Sequence, residues 1–131
     1  MIVVDASALV EVLLGTDTGA RVEDRLLSGG ESLHAPHLLD VEVAQVLRRY
    51  AAAGELSPAR GREALTDLAD FPLHRYSHDV LLPRIWELRQ NVTAYDAAYL
   101  ALAETLLVPL VTCDRRLASA PRHTAKVEVY P

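Results

Sequence analysis

Short apolar runs alternate with amphipathic stretches along the whole chain. The first run, Met1–Val4, is β-branched and apolar on both sides, which is typical of a buried strand. Further strand patterns occur at 32–35, 73–76, 110–112 and 126–130. Between them, apolar periodicity and capping residues predict helices at 8–14, 17–27, 36–53, 58–70, 79–90, 93–107 and 114–119. This alternation predicts an α/β fold, a three-layer α/β/α arrangement around a mostly parallel central sheet.

Several local expectations depend on single residues. Ser7 is expected to cap the first helix, Pro36 to start the third, and Asp79 to open a helix that reaches position 90. The first helix carries more apolar residues, Val10 and Leu13 among them, than one core-facing stripe needs. We therefore expect part of it to form a groove for an amphipathic segment of a partner. The alternatives are burial on all sides or use in a homodimer.

Length and composition set bounds on these expectations. The 131 residues suit one domain spanning 1–131, and 50% are hydrophobic, so global disorder is not expected. The net charge of −5 argues against broad nucleic-acid binding, although acids at a metal site would supply part of it. A lone cysteine provides no disulfide framework. Neither a signal-peptide pattern nor an uninterrupted apolar span is present, so we expect a cytoplasmic protein.

Four acidic residues stand in otherwise apolar segments. Asp5 directly follows the first predicted strand, and Asp114 follows the strand at 110–112. Because α/β proteins place their active sites at the carboxyl ends of parallel strands, these two acids are expected to meet. Glu42 and Asp96 lie among the apolar positions of two predicted helices. Buried carboxylates are costly unless they are paired or bind a metal, so the four acids favour a shared divalent cation.

Each acid also has a purely structural explanation. Asp5 and Asp114 suit a turn or a helix cap, Thr93-x-x-Asp96 resembles a capping box, and Glu42 could extend to solvent.

The nature of the ligands narrows the choice of metal. Oxygen ligands suit Mg²⁺ or Mn²⁺, whereas the two histidine pairs, 34/37 and 74/78, span strand ends without the geometry of a zinc site. Ser7 and Thr112 stand beside the strand-end acids, where their hydroxyls would orient carboxylates or a water molecule, or act as simple caps. Asp40, in the first turn of its helix, is assigned only a secondary, substrate-side role.

Four segments resemble, in order, the motifs of PIN-domain ribonucleases of the VapC toxin type. They are IVVDAS (2–7), APHLLDVEV (35–43), TAYDAAYLALA (93–103) and LVTCDRRL (110–117). The resemblance covers the whole length, and the ordered set is more specific than any one motif. It implies a PIN-like fold in which the acidic quartet is Asp5, Glu42, Asp96 and Asp114, with Ser7 and Thr112 beside it.

The resemblance also implies an activity and its partners. These are Mg²⁺- or Mn²⁺-dependent cleavage of single-stranded or looped RNA, a homodimer, and inhibition by a small VapB-like antitoxin. The expected metal ligands are Asp5, Asp96 and Asp114, and Glu42 would hold the ion indirectly or orient water. Arg115 and Arg116 stand where some members carry a further acid, so a second metal would be less well supplied. Both arginines are candidates for contacting the RNA backbone.

Three other classes of protein fit the sequence less well than a PIN-domain ribonuclease. A catalytically silent PIN-like scaffold would have no use for an intact acidic quartet. A phospho-accepting receiver domain is also α/β, but it normally has adjacent acids after its first strand and a lysine after its last. Here Ala6 follows Asp5, and Lys126 begins its strand. A haloacid-dehalogenase-like phosphatase would need an aspartate at the position of Ser7.

Overall fold

The computed structural model describes all 131 residues and contains one five-stranded, wholly parallel sheet, so the predicted α/β fold is confirmed. The strand order is β3-β2-β1-β4-β5. The strands are β1 (Ile2–Val4), β2 (Leu33–Pro36), β3 (Leu73–Tyr76), β4 (Leu110–Thr112) and β5 (Val127–Val129). The helices are α1 (Ala6–Leu14), α2 (Asp17–Leu27), α3 (Leu38–Ala52), α4 (Pro58–Asp70), α5 (Leu82–Glu87), α6 (Ala94–Leu106) and α7 (Arg115–Ser119).

Helices cover both faces of this sheet. Crossovers between parallel strands are right-handed, so the path from β1 through β2 to β3 places α1–α4 on one face. The return path through β4 to β5 places α5–α7 on the other face. In agreement, α1 contacts α2, α3 and α4, whereas α5 contacts α6, and α6 packs on β1, β2 and β4. None of the helices combines the length and apolar character needed to cross a bilayer.

The core is a single cluster of 28 buried apolar residues. All three residues of β1 are fully buried, as a strand covered on both faces requires. In α6, every residue from 97 to 103 is buried, and four of these seven are alanines, which permit close packing on the sheet. This packing fixes α6, and with it Asp96 at the edge of the core, relative to β1 and β4.

The turn between α1 and α2 requires glycine twice. Gly15 ends α1 in the left-handed conformation, with φ of 66°, which costs glycine little. At Gly19 a Cβ atom would lie 2.0 Å from the carbonyl oxygen of Glu11, so α2 packs directly on the backbone of α1.

Three of the expected helix starts are wrong. Asp5, not Ser7, caps α1, because the Asp5 carboxylate accepts the Ala8 amide at 3.1 Å. Pro36 is the last residue of β2 and lies beyond the residues that pair with β1. Its lack of an amide hydrogen therefore removes no hydrogen bond between β2 and β1. The segment from Asp79 starts as a 3₁₀ turn, Asp79–Leu81, since Pro83 cannot follow a full turn of α-helix.

The expected groove on α1 is also wrong. Val10 is only 3% exposed and Leu13 only 7%, because α2, α3 and α4 surround the helix. These two residues follow the alternative expectation, in which the helix is buried on all sides. The extra apolar surface of α1 belongs to the core.

The strand order separates this fold from the receiver domain. Receiver domains have the order 2-1-3-4-5, whereas here β1 lies between β2 and β4. The chain leaves β1 toward β2 and later enters β4 on the other side, so the point where the strand order reverses lies between β1 and β4. In open α/β sheets the binding crevice lies outside the carboxyl ends of the strands at that point.

Candidate active site

Asp5 stands at this reversal point, directly after β1 and beside the end of β4. It is only 5% exposed, and burial raises the pKa of its carboxyl to about 6. Hydrogen bonds from Thr112, Ser7 and the Ala8 amide oppose this rise, and the nearby charge of Asp114 adds to it. The hydrogen bonds that Asp5 accepts therefore offset only part of the free energy that burial of its negative charge costs.

Two hydroxyls from opposite ends of the sequence hold the Asp5 carboxylate. Ser7 Oγ donates to Oδ1 at 2.7 Å, and Thr112 Oγ1 donates to Oδ2 at 2.6 Å. The same hydroxyl oxygens accept backbone amides of the loop after β4, those of Cys113 at 3.0 Å and Asp114 at 2.9 Å. This network fixes the orientation of Asp5 and ties it to the loop that carries Asp114.

Glu42 is oriented by a tyrosine of α6. The buried Tyr99 hydroxyl donates to Glu42 Oε1 at 2.6 Å. Burial raises the pKa of Glu42, the bond from Tyr99 opposes the rise, and the charge of Asp96 adds to it. The pKa of Tyr99 is raised by its own burial and by Glu42, so it stays a protonated donor. The pair links α3 to α6 across the cleft.

The remaining two acids have different surroundings. Burial raises the pKa of Asp96, as does the charge of Asp114, while Arg116 opposes the rise. Asp114 caps α7 through the Arg116 amide at 2.9 Å, and the Arg116 guanidinium pairs with its carboxylate at 2.8 Å. These bonds from Arg116 lower the pKa of Asp114. The expected capping roles of Asp114 and of Thr93, which bonds the Asp96 amide, are both present.

All four acids line one cleft of about 340 Å³, together with Ser7, Gln45, Arg49, Tyr99 and Arg116. Three of them, Asp5, Glu42 and Asp96, have raised pKa values, chiefly because of burial and to a smaller extent because of a neighbouring carboxylate. The four acids also outnumber the arginines that line the cleft, Arg49 and Arg116. No three acidic, histidine or cysteine side chains converge closely enough to form a ready-made metal site. The cleft thus gathers oxygen ligands without a closed coordination shell.

Some residues of the cleft were not among the sequence-based candidates. Tyr99 follows Asp96 by three residues, and Gln45 and Arg49 follow Glu42 by three and seven, so helical spacing from the acids could have identified them. The expected substrate-side role of Asp40 has no support. Its carboxylate makes a two-point ion pair with Arg75 and lies outside the cleft.

The parallel sheet and the acidic cleft at its reversal point define a PIN domain, and comparison with known proteins agrees. The PIN domain family model matches residues 2–123, and the chain belongs to this family. Within it, a VapC ribonuclease of Mycobacterium bovis is 44% identical over 131 residues, covering 100% of this chain and 99% of that protein. Ribonuclease VapC1 of Mycobacterium tuberculosis is 48% identical over 120 residues, 91% of this chain and 90% of the relative.

Solved structures show the same fold at lower identity. The crystal structure of VapBC2 from Rickettsia felis, bound to a DNA fragment from its promoter, matches with a TM-score of 0.71. The match covers 100% of both chains at 13% identity, so it supports the assignment of the fold and nothing further. The resemblance to VapC-type PIN domains that the motifs indicate is confirmed by the full-length relatives.

Proposed function

We propose that residues 1–131 act as a single-domain endoribonuclease toxin that hydrolyses single-stranded or looped RNA in the cytoplasm with Mg²⁺ or Mn²⁺. The observation that carries the proposal is the meeting of Asp5, Glu42, Asp96 and Asp114 in one cleft at the reversal point of the sheet. Kinship with VapC ribonucleases over the full length supports the substrate class. A silent scaffold would keep these partly buried acids at a cost in stability and without use.

The residues of the cleft suit a divalent cation. Their ligand atoms are all oxygens, which Mg²⁺ and Mn²⁺ prefer. The raised pKa values of Asp5, Glu42 and Asp96 mean that added positive charge would be favourable there. Asp5, Asp96 and Asp114 would hold the ion, and Glu42 would hold it indirectly or orient water. When bound, such an ion lowers the pKa of water and offsets charge on a phosphate.

The other residues of the cleft would position these acids and the substrate. Ser7 and Thr112 keep Asp5 in a fixed orientation, and Tyr99 does so for Glu42. Arg115 is exposed and has no carboxylate partner, so it is free to meet a phosphate. Arg116 would contact the RNA backbone after release from Asp114, because the guanidinium fork matches phosphate as well as carboxylate.

Cleavage of RNA by the purified chain tests this proposal. Wild-type protein should cut RNA in the presence of Mg²⁺ or Mn²⁺, and Asp5→Asn should abolish cleavage while keeping the fold. Mapping of RNA ends after brief induction in cells, with Asp5→Asn as the comparison, would identify the target. Cleavage at the wild-type rate by Asp5→Asn would refute the assigned site.

The proposal extends to a VapB-like antitoxin, since an active ribonuclease in the cytoplasm must be restrained. The Rickettsia felis protein, which has the same fold, was crystallised as a VapBC complex, and this supports the proposal. An antitoxin arginine placed among the four acids would supply the positive charge they lack and compete with the metal. Added Mn²⁺ should therefore weaken antitoxin binding to wild-type protein more than to Asp96→Asn.

We place the contact of the proposed homodimer on an exposed apolar surface formed by α5 and the first turns of α3 and α6. Leu82 is 55% exposed and Tyr95 64%, and they line an apolar pocket of about 190 Å³ with Leu38 and Ile85. Val41, three residues after Leu38 on α3, is also exposed. Exposed apolar residues that cluster in this way are a candidate protein–protein contact surface. Leu82→Glu should give a monomer in analytical ultracentrifugation, whereas Leu27→Glu, similarly exposed on α2, should not.

A further inference from the structure

A second and larger groove opens beside the acidic cleft. It encloses about 630 Å³ between the segment that follows α5, the start of α6 and the end of α7. Asp96 and Arg116 line both the groove and the cleft, so the two spaces adjoin each other at these residues. The other polar lining groups are Arg89, Gln90, Asn91, Thr93 and Ser119. A chain-like ligand that crosses the acids can therefore continue into this groove.

Arg89 provides a fixed positive charge in the groove. Its guanidinium carbon lies 4.4 Å from the centroid of the Trp86 ring, and its Nη1 donates to the Trp86 carbonyl at 2.9 Å. Neither partner is a carboxylate, so the positive charge of Arg89 is not neutralised within the chain. The contact with the aromatic ring restrains the side chain, which lowers the entropy lost when it binds an anion.

The acids are flanked by unpaired arginines on both sides. Arg49 lines the cleft but not the groove, and Arg89 lines the groove but not the cleft. Neither forms an ion pair with a carboxylate, whereas Arg116, between them, is held by Asp114. This order of charges suits a polyanion that passes over the acids and is held on either side of them.

We infer that the groove binds the single strand of RNA next to the cleavage point, with Arg89 holding a phosphate adjacent to the one over the acids. This inference rests on the proposed ribonuclease function. The acids themselves repel the RNA backbone, so arginines outside the quartet supply attraction that the acids cannot provide. The amide and hydroxyl groups of Asn91 and Ser119 suit the base edges of an unpaired strand. An amphipathic antitoxin helix would need an apolar trough, which these polar groups do not form.

Binding of RNA without cleavage tests the role of Arg89. In the Asp5→Asn background with Mg²⁺, fluorescence anisotropy would follow a labelled single-stranded RNA of mixed sequence and about ten nucleotides. Arg89→Ala should weaken binding about tenfold or more, as loss of a hydrogen bond to a charged group does. The slope of log affinity against log salt should become shallower by about 0.7, the value for one phosphate contact on a single strand. Arg89→Lys should restore the slope.

Arg62→Ala is the matched control. Arg62 is an exposed arginine on α4, without a carboxylate partner and outside both cavities. It should change neither the affinity nor the salt slope. Equal behaviour of Arg89→Ala and Arg62→Ala would overturn the inference, as would an Arg89→Ala protein that loses antitoxin binding and keeps RNA binding. With either result, loss of cleavage in Asp5→Asn would leave the proposed function standing, so the two failures are distinguishable.

Discussion

Arg116 binds the carboxylate of Asp114 at both oxygens, with Nη2 2.8 Å from Oδ2 and Nε 3.1 Å from Oδ1. The two residues are separated by a single position, and the turn that begins α7 brings them together. Asp114 is thereby the one acid of the cleft whose pKa is lowered. An arginine of the chain itself therefore pairs with one of the carboxylates proposed to bind the ion.

This ion pair predicts that Arg116 competes with the metal. Arg116→Ala should bind Mn²⁺ a few-fold more tightly than wild type, because the ion no longer displaces the guanidinium; the effect is small since exposed ion pairs contribute little. Isothermal titration calorimetry would measure it. Arg115→Ala removes an equal charge one position earlier without breaking the pair, so an equal gain in both variants would point to general charge instead.

Asp5 predicts a pH dependence of stability in the metal-free protein. Its folded-state pKa is about 6 against an ordinary value of 3.8, so the folded state favours the protonated acid. The contribution of protonated Asp5 to the free energy of unfolding is fully present below pH 4 and is lost as the pH rises through 6. The loss amounts to up to about 3 kcal/mol.

Urea unfolding in the presence of a chelator, at pH 4 and pH 7, would measure this loss. Asp5→Asn cannot ionise, so it should lose clearly less stability over the same interval. A part of the dependence should remain, because the pKa values of Glu42 and Asp96 are also raised. If the stability of Asp5→Asn depended on pH as strongly as that of wild type, ionisation of Asp5 would not destabilise the folded state, and the prediction would be wrong.

Tyr99→Phe should impair cleavage through Glu42. The substitution removes the 2.6 Å hydrogen bond to Oε1 and leaves the ring in place. Loss of a bond to a charged group predicts a fall of roughly tenfold in kcat. The acid limb of the pH–rate profile should move to higher pH, because that bond holds down the pKa of Glu42. Tyr95→Phe, four residues earlier on the same helix and exposed, should do neither.

Much of the fold could be predicted from the sequence because the signals are local. β-branched residues mark β1, β4 and β5, and caps such as Ser57 and Thr93 bond the amides expected of them. The errors at Ser7 and on α1 occur where distant contacts override a local signal. The Ser7 hydroxyl is taken up by Asp5 and the Cys113 amide, and α1 is enclosed by three helices that no local pattern reveals.

The candidate site was predictable to a similar extent. Strand ends and apolar helix faces identified the four acids that line the cleft. The partners that orient or neutralise these acids were harder to foresee, because they depend on packing between elements. Tyr99 of α6 and Glu42 of α3 come from opposite faces of the sheet and meet only across the cleft, and Arg89 resembles an ordinary surface arginine until the groove beside the cleft is visible.

Metal binding by the cleft is the most direct test of the central claim. Thermal unfolding with and without Mg²⁺ should show stabilisation of the wild-type protein, about 2.7 kcal/mol at roughly 100 times the dissociation constant. The double variant Asp5→Asn/Asp96→Asn should show none, whereas Asp67→Asn/Asp70→Asn, with the same change of charge on α4, should respond like wild type. Equal stabilisation of all three proteins would place the ion elsewhere and contradict the account.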